Sequence, residues 1–215
     1  MLSRDPELDP LGEQQPTEGI MSVAWKSTLN KALDANKHLK YSTFFQLATV
    51  RPDGKPSNRT VVFRGFLDDS TKITFTTDTR TFKVEHVKKM PWAEACWYFS
   101  DSREQFRLGG DLVIVGPDHP DAHLREARQD AWNNMSTGGR SWFAWPASGR
   151  PREPNKEEFE KPVPDKGEEA LPSFALVYMD VDTVDYVLLP DVRLGYDSTV
   201  TSEGSREWHQ QELNP

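Results

Sequence analysis

The stretch Asn58-Arg59-Thr60-Val61-Val62-Phe63-Arg64-Gly65-Phe66, followed after a short turn by Ile73-Thr74-Phe75-Thr76-Thr77-Asp78-Thr79-Arg80-Thr81-Phe82-Lys83, decides how this chain folds. Both runs are rich in the β-branched and aromatic residues that suit a pleated, half-buried surface. Asp68-Asp69-Ser70 supplies the turn between them. The pattern predicts a hairpin whose second strand passes into a helix, capped by Asp78 or Thr79, beginning near Arg80 and ending before Pro91. Its polar content is unusual for a structural hairpin. Arg59 and Arg64 lie on the first strand, and Thr76, Thr77, Arg80, Thr81 and Lys83 gather where the second ends. So many donors around one turn point to an anionic, partly planar ligand.

Strand signals continue on both sides of the hairpin. Trp25, Leu29, Ala32 and Leu33 recur at helical spacing and predict a helix over 22–37. Phe44–Val50 reads as a strand, and Pro52-Asp53-Gly54 turns it into the hairpin's first strand, 57–66. Further strands are predicted at 94–99, at 104–115 with a bulge or bend at Gly109-Gly110, and at 174–189 with a break near Asp182. Leu124, Ala127, Ala131, Trp132 and Met135 mark a second long helix. Glu203-Gly204 offers a turn between C-terminal edge strands, with Trp208 as an anchor. Many short strands joined by tight turns, with few helices, predict a mainly β (α+β) protein: an antiparallel split β-barrel with flanking helices. Residues 21–215 are expected to form one domain behind a disordered tail over 1–20. The Pro-, Glu- and Lys-rich 150–171 segment reads as an exposed linker or insertion.

Composition narrows the function. The formal charge is −8, which argues against nucleic acid and anionic membranes as partners. The charge is uneven: residues 51–110 hold eleven Lys and Arg against eight Asp and Glu, so this segment is +3 and the remainder is −11. A locally positive centre in an acidic protein suits a small anion. The single cysteine, Cys96, excludes an internal disulfide framework and sits in a strand as a small hydrophobe. No apolar run is long enough to span a bilayer, and the acidic N-terminus does not resemble a signal peptide, so a soluble cytoplasmic protein is expected.

A phosphate group needs donors in fixed positions, positive charge, and often the free N–H groups of a helix start. The Thr77–Lys83 run offers all three. Arg59 and Arg64 are five residues apart, so strict alternation sends them to opposite faces, one toward a phosphate and one toward a planar ring, unless a bulge brings them together. Gly-rich nucleotide loops of the GxGxxG or P-loop type are absent.

In order, Leu47-Ala48-Thr49-Val50, Asp53-Gly54, Arg59 to Arg64, Thr76 to Lys83 and Arg103-Glu104-Gln105-Phe106-Arg107 resemble the pyridoxamine/pyridoxine 5′-phosphate oxidase family, over about residues 22–215. The likeness is closest to a divergent, oxidase-like branch. It implies an FMN-binding split barrel that forms a homodimer with FMN at the interface. It further implies that Arg59 grips the FMN phosphate, that Thr60, Val61, Val62 and Phe63 run along the flavin ring, and that Arg64 replaces a lysine near flavin and substrate. Thr76 and Thr77 match further flavin contacts, Thr81 and Lys83 match phosphate contacts, and Gln105 matches a glutamine bonded to the ring. Phe82 replaces an arginine whose charge Arg80 is expected to supply.

On the substrate side the likeness is looser. Trp132 falls near a tyrosine that contacts the substrate phosphate, Ser136 replaces an arginine, and Arg140 replaces a serine. Arg193-Leu194-Gly195 resembles an Arg-Leu-His element with its histidine lost, and Asp197 replaces another arginine. Trp132, Arg140 and Arg193 are therefore the expected contacts for a small anionic substrate. The implied activity is hydride transfer from substrate to FMN and then to oxygen; an FMN-binding protein of the same fold with another activity or none is the alternative, and a split barrel given over to haem or to structure is a third. No catalytic side chain and no metal site is assigned. His119 and His123 have helical metal-ligand spacing but read as a polar helix start. The aromatic residues of Trp142–Trp145 read as packing, and Glu157–Glu160 as a solvated run.

Overall fold

The computed structural model describes residues 23–202 and 205–215. The expected N-terminal tail and the Glu203-Gly204 turn lie outside the described residues. The chain runs α1 (Ala24–Ala35), β1 (Phe44–Val50), β2 (Pro56–Phe66), β3 (Ile73–Asp78), α2 (Phe82–Lys89), β4 (Trp92–Phe99), β5 (Glu104–Val115), α3 (Ala122–Asn133), α4 (Thr137–Ser141), β6 (Phe174–Leu188), β7 (Val192–Val200) and β8 (Arg206–Glu212). The strands lie in the order β3-β2-β1-β4-β5-β6-β7-β8, all neighbours antiparallel, and β3 also pairs with β6. That last pairing closes six strands into a barrel, while β7 and β8 extend the sheet beyond it. Among the described residues, no helix is long and apolar enough to cross a membrane.

Alternation explains what fills the barrel. Phe45 and Leu47 on β1, Phe75 on β3, Trp97 and Phe99 on β4, and Phe106 on β5 are buried. Their rings touch in sequence: Phe45–Trp97 at 5.2 Å, Trp97–Phe99 at 5.6 Å, Phe99–Phe106 at 6.0 Å and Phe106–Tyr186 at 4.7 Å. Burying each such side chain contributes on the order of 1.5–3 kcal/mol, so this aromatic column is the main apolar cohesion of the fold. α1 covers a second side through Trp25, which meets Trp208 of β8 at 5.5 Å. A smaller cluster of Trp132, Met135, Phe143 and Phe174 fastens α3 and α4 to the start of β6.

Two irregularities shape the barrel. On β6, Gly109 faces Thr183 and Gly110 faces Val181, so Asp182 is an extra residue and the strand bulges there without breaking. On β2, Phe63 faces Phe75 while Gly65 faces Thr74, which makes Arg64 the extra residue; Gly65 takes φ +114°. The start of α2 differs from expectation. Thr81, with no side-chain capping bond, precedes the helix, while the Asp78 carboxylate accepts the Arg80 N–H in a turn outside it. The 150–171 segment contains a single 3₁₀ turn, Lys156–Phe159, and its far end is stitched to α3. There Gln129 receives the Ala170 N–H, and Arg128 donates to the Ala170 and Leu171 carbonyls.

Candidate functional site

Between β2 and β3 the ladder is short. Only Phe63, Gly65 and Phe66 pair with Phe75, Thr74 and Ile73. Beyond them the strands part: β2 continues along β1, while Thr76, Thr77 and Asp78 pair with β6. The β3-facing backbone groups of 58–62 therefore have no strand partner among the described residues. An unpaired strand edge holds ready hydrogen-bond groups for a ligand.

At the mouth of this gap stand Arg59 and Lys83. Arg59 lies opposite Leu47, and its Nη1 donates to the Leu47 carbonyl at 3.0 Å and to Thr49 Oγ1 at 2.8 Å. Nη2 donates to Ser57 Oγ at 2.9 Å. Three of the five guanidinium hydrogens are thus fixed by protein, leaving the Nε hydrogen and one on Nη2 for a ligand. Lys83, on the first turn of α2, donates to Thr77 Oγ1 at 2.7 Å and to Thr81 Oγ1 at 3.3 Å. Neither cation has a carboxylate within ion-pair distance among the described residues. Burial, and next the positive charge of Arg59, push the Lys83 ammonium down to about 8, against a smaller opposing pull from Asp78. Two half-desolvated cations without a counter-charge among the described residues, set beside two hydroxyls and a helix start, have the donors and charge to hold an anion.

Arg64 faces away from this pair. It lines a cleft of about 220 Å³ against α3, with Thr74, Ala127, Ala131, Asn134 and Met135. It has no hydrogen-bond or ion-pair partner among the described residues, and burial lowers its pKa. The alternation of the strand holds: the bulge at Arg64 leaves the two arginines on opposite sides. Thr60 and Val62 pair with Gln46 and Phe44, while Val61 and Phe63 point to the core, Phe63 meeting Trp97 at 5.1 Å.

Several expected site residues are placed elsewhere. Arg80 bonds the Asp78 carboxylate and the carbonyls of Phe143 and Trp145, at 3.1 and 2.9 Å, through Nε and Nη2, and so ties the loop after α4 to the end of β3. Trp132 and Arg140 are 0% and 1% exposed. Arg140 donates to the Met135 carbonyl and Thr137 Oγ1 inside the smaller core, which corrects the reading of both as substrate contacts. Arg193 is half-exposed on β7, but its guanidinium and that of Arg107 share the carboxylate of Asp185. Gln105 lies on β5, opposite Tyr98 and Val187, three strands from β2 around the closed barrel. His123 pairs with Asp68, and no group of three His, Cys, Asp or Glu that could hold a metal occurs among the described residues.

Two residues that pattern reading passed over complete the site. Thr49 and His86 are 2% and 6% exposed, and Thr49 Oγ1 lies 3.0 Å from His86 Nδ1 while it accepts from Arg59. Burial, then the charges of Arg59 and Arg51, lower the His86 pKa. The signals were present: Thr49 shares the inward parity of Leu47 at the strand end, and His86 follows Lys83 by three on one helix face.

Known proteins share this architecture. The family model described as pyridoxamine 5′-phosphate oxidase, FMN-binding domain, matches residues 22–116. Pyridoxine/pyridoxamine 5′-phosphate oxidase 2 of Arabidopsis thaliana is 38% identical over 199 residues, covering 92% of this chain and all of that protein. The pyridoxine/pyridoxamine 5′-phosphate oxidase of Gloeothece citriformis is 30% identical over 124 residues, 56% of this chain and 55% of that one. Among solved structures, a pyridoxamine 5′-phosphate oxidase-related, FMN binding protein from Nostoc punctiforme has 40% identity and a TM-score of 0.83, covering 92% of this chain and 100% of its own. PhzG from Burkholderia lata, at 18% identity and a TM-score of 0.67 over 89% of this chain and 90% of its own, shares the fold. With its closed six-stranded barrel and a relative matched along its whole length, this chain belongs to the pyridoxamine 5′-phosphate oxidase family of FMN-binding split barrels.

Proposed function

We propose that this protein is an FMN-dependent oxidoreductase that binds the FMN phosphate at Arg59, Thr77, Thr81 and Lys83. The observation that carries the reading is the pair of uncompensated cations at Arg59 and Lys83. A phosphate dianion supplies the counter-charge they lack, and the two unused Arg59 hydrogens match its oxygens. The open edge of β2 along residues 60–62 and the neighbouring Thr76 offer backbone and hydroxyl partners for a flat ring. Bound FMN supplies a ring that takes a hydride from a substrate carbon and yields electrons to an acceptor such as oxygen. The residues here bind, orient and set charge: Arg64, with its free guanidinium, offers positive potential where an anionic substrate or a reduced ring needs it.

Gln105 on β5 and Arg193 on β7 lie on strands that do not border the gap between β2 and β3. The outer face of β1 and β4, where Phe44, Trp92 and Tyr98 are 41%, 42% and 52% exposed, suits a second copy of the chain. In a homodimer built on this face, Gln105 would complete the partner's flavin site. The single cysteine and acidic surface suit the cytoplasm.

A specific observation favours a second reading, in which the chain binds FMN but oxidises something other than pyridoxine 5′-phosphate. Arg193 shares the Asp185 carboxylate with Arg107, and Trp132 and Arg140 are withdrawn into a core, so few of the expected substrate contacts are free at the surface. An absorption spectrum tests the first reading: the full chain mixed with FMN and freed of excess should be yellow, and Arg59→Ala should be colourless. Wild-type protein that stays colourless overturns it. Formation of pyridoxal 5′-phosphate from pyridoxine 5′-phosphate by the loaded protein separates the two readings.

A further inference from the structure

We propose that Thr49 and His86 form a positioning relay that aims Arg59 at the phosphate of its ligand. The proposal rests on the FMN reading and adds to it two residues outside the anion site itself. Thr49 Oγ1 has two hydrogen-bond partners among the described residues, Arg59 Nη1 at 2.8 Å and His86 Nδ1 at 3.0 Å. Arg59 can only donate, so the hydroxyl oxygen accepts from it. At 2% exposure a hydroxyl proton left without an acceptor would be costly, and His86 Nδ1 is the acceptor within reach, so the proton is assigned there. Nδ1 is then an acceptor, and His86 is neutral with its hydrogen on Nε2.

The surroundings of His86 favour that neutral form. Burial comes first, and then Arg59 of β2 and Arg51 after β1 act against a further positive charge, outweighing Glu85 on its own helix and Asp53 in the adjoining turn. The consequence is directional. A neutral His86 holds the Thr49 hydroxyl with its lone pairs toward Arg59, and this bond together with the Leu47 carbonyl occupies both Nη1 hydrogens. The guanidinium plane is thereby set, and the Nε and remaining Nη2 hydrogens are left on the side open to the ligand. His86 also sits one turn beyond Lys83 on α2, so one contact links the helix carrying the second cation to the strand carrying the first.

The test titrates full-length protein with FMN, with riboflavin, which lacks the phosphate, and with inorganic phosphate. Thr49→Val keeps the shape and removes the hydroxyl; Thr49→Ser keeps the hydroxyl. His86→Leu removes the acceptor, and His86→Asn keeps an oxygen near the Nδ1 position. FMN affinity is expected to fall about 10-fold in Thr49→Val and His86→Leu, the scale of one lost hydrogen bond to a charged group. Riboflavin affinity is expected to stay unchanged, and Thr49→Ser and His86→Asn to recover FMN binding. A Thr49→Val protein that binds FMN as tightly as wild type, or that loses FMN and riboflavin in equal proportion, overturns the relay. If wild-type protein binds no FMN, the cofactor reading fails and phosphate decides: a 10-fold weaker phosphate affinity in Thr49→Val upholds the relay, and equal or absent binding overturns it. Imidazole nitrogen NMR of the ligand-free protein is a separate check, since a hydrogen on Nδ1 of His86 contradicts the arrangement.

Discussion

Lys83 on α2 lies near enough to Arg59 on β2 that, after burial, the Arg59 charge is the next cause lowering its pKa, and no carboxylate pairs with either among the described residues. This relationship makes ligand affinity depend on pH in a definite direction. In the free protein Lys83 loses its proton near pH 8, and a bound phosphate dianion raises that value by charge attraction. Above about pH 8 binding must take up a proton, so FMN affinity should decline there, toward a limit of about tenfold per pH unit. FMN titrations between pH 7 and 10 should show the decline; Lys83→Met should bind weakly at every pH, without the inflection.

The same group affects folding with the opposite sense. The folded pKa of Lys83 is about 8 against 10.5 unfolded, so below pH 8 both states hold the proton and the cost of burying it is carried in full. Between pH 8 and 10.5 the unfolded state binds more protons, and the Lys83 contribution to stability rises with pH. Lys83→Met should therefore be more stable than wild type at pH 7.5, with the gap narrowing toward pH 10. Denaturant midpoints of ligand-free protein measure it, and a pH-independent difference would contradict the assignment.

Arg80 should behave as a structural residue. Its bonds to the Phe143 and Trp145 carbonyls and to Asp78 hold the loop after α4 against β3. Arg80→Ala is expected to cost about 1 kcal/mol, the range of a partly exposed charged hydrogen-bond set, and to leave FMN affinity within about twofold of wild type. A loss of FMN binding comparable to Arg59→Ala would return Arg80 to the phosphate site.

Gly110 has no room for a side chain. A Cβ at this position would lie 2.2 Å from the Asp180 carbonyl oxygen, across the bulge where Asp182 is the extra residue. Because the obstacle is backbone, relief requires the two longest strands of the barrel to separate. Gly110→Ala should cost about 3 kcal/mol or more, above the usual range for overpacking by a methyl. Thermal unfolding of this variant beside Gly116→Ala, where a Cβ meets nothing within 4 Å, isolates the effect.

How much of this was legible in sequence depended on whether the deciding partner was near in the chain. β1 and β5 occupy the residues that alternation predicts, and the Gly109-Gly110 irregularity appears opposite Asp182, where the β6 pattern falters. Those signals are local or belong to one strand pair. The structural bonds of Arg80 were not legible because its acceptors, Phe143 and Trp145, arrive from beyond α4, and no spacing rule reports such a contact. Trp132 and Arg140 were misread for the same reason: the core that encloses them needs Phe174 of β6. Arg59 and Lys83 were identified as charges, but that they lack counter-ions is a fact of three dimensions. Thr49 and His86 show only strand parity and a shared helix face in sequence, and it is strand register that brings Thr49 beside Arg59.

Asp185 carries the last prediction. Burial raises its pKa, but hydrogen bonds from Arg193 and Arg107 outweigh that and hold the carboxyl below the usual range. The carboxylate is therefore charged at neutral pH and cancels much of the field of Arg193. Asp185→Asn keeps the shape and removes the charge, leaving Arg193 free to meet an anion on the exposed face of β7. If Arg193 faces the substrate, the KM for pyridoxine 5′-phosphate should drop severalfold in Asp185→Asn, and more at low salt, because the gained attraction is partly screened by ions. Stability should fall by about 1 kcal/mol, since two half-exposed arginines lose a shared partner. FMN affinity should change little if Arg193 serves substrate alone. A KM unmoved by the substitution would place Arg193 and Asp185 outside the substrate path and leave Arg64, in its cleft beside α3, as the remaining cation for an anionic substrate.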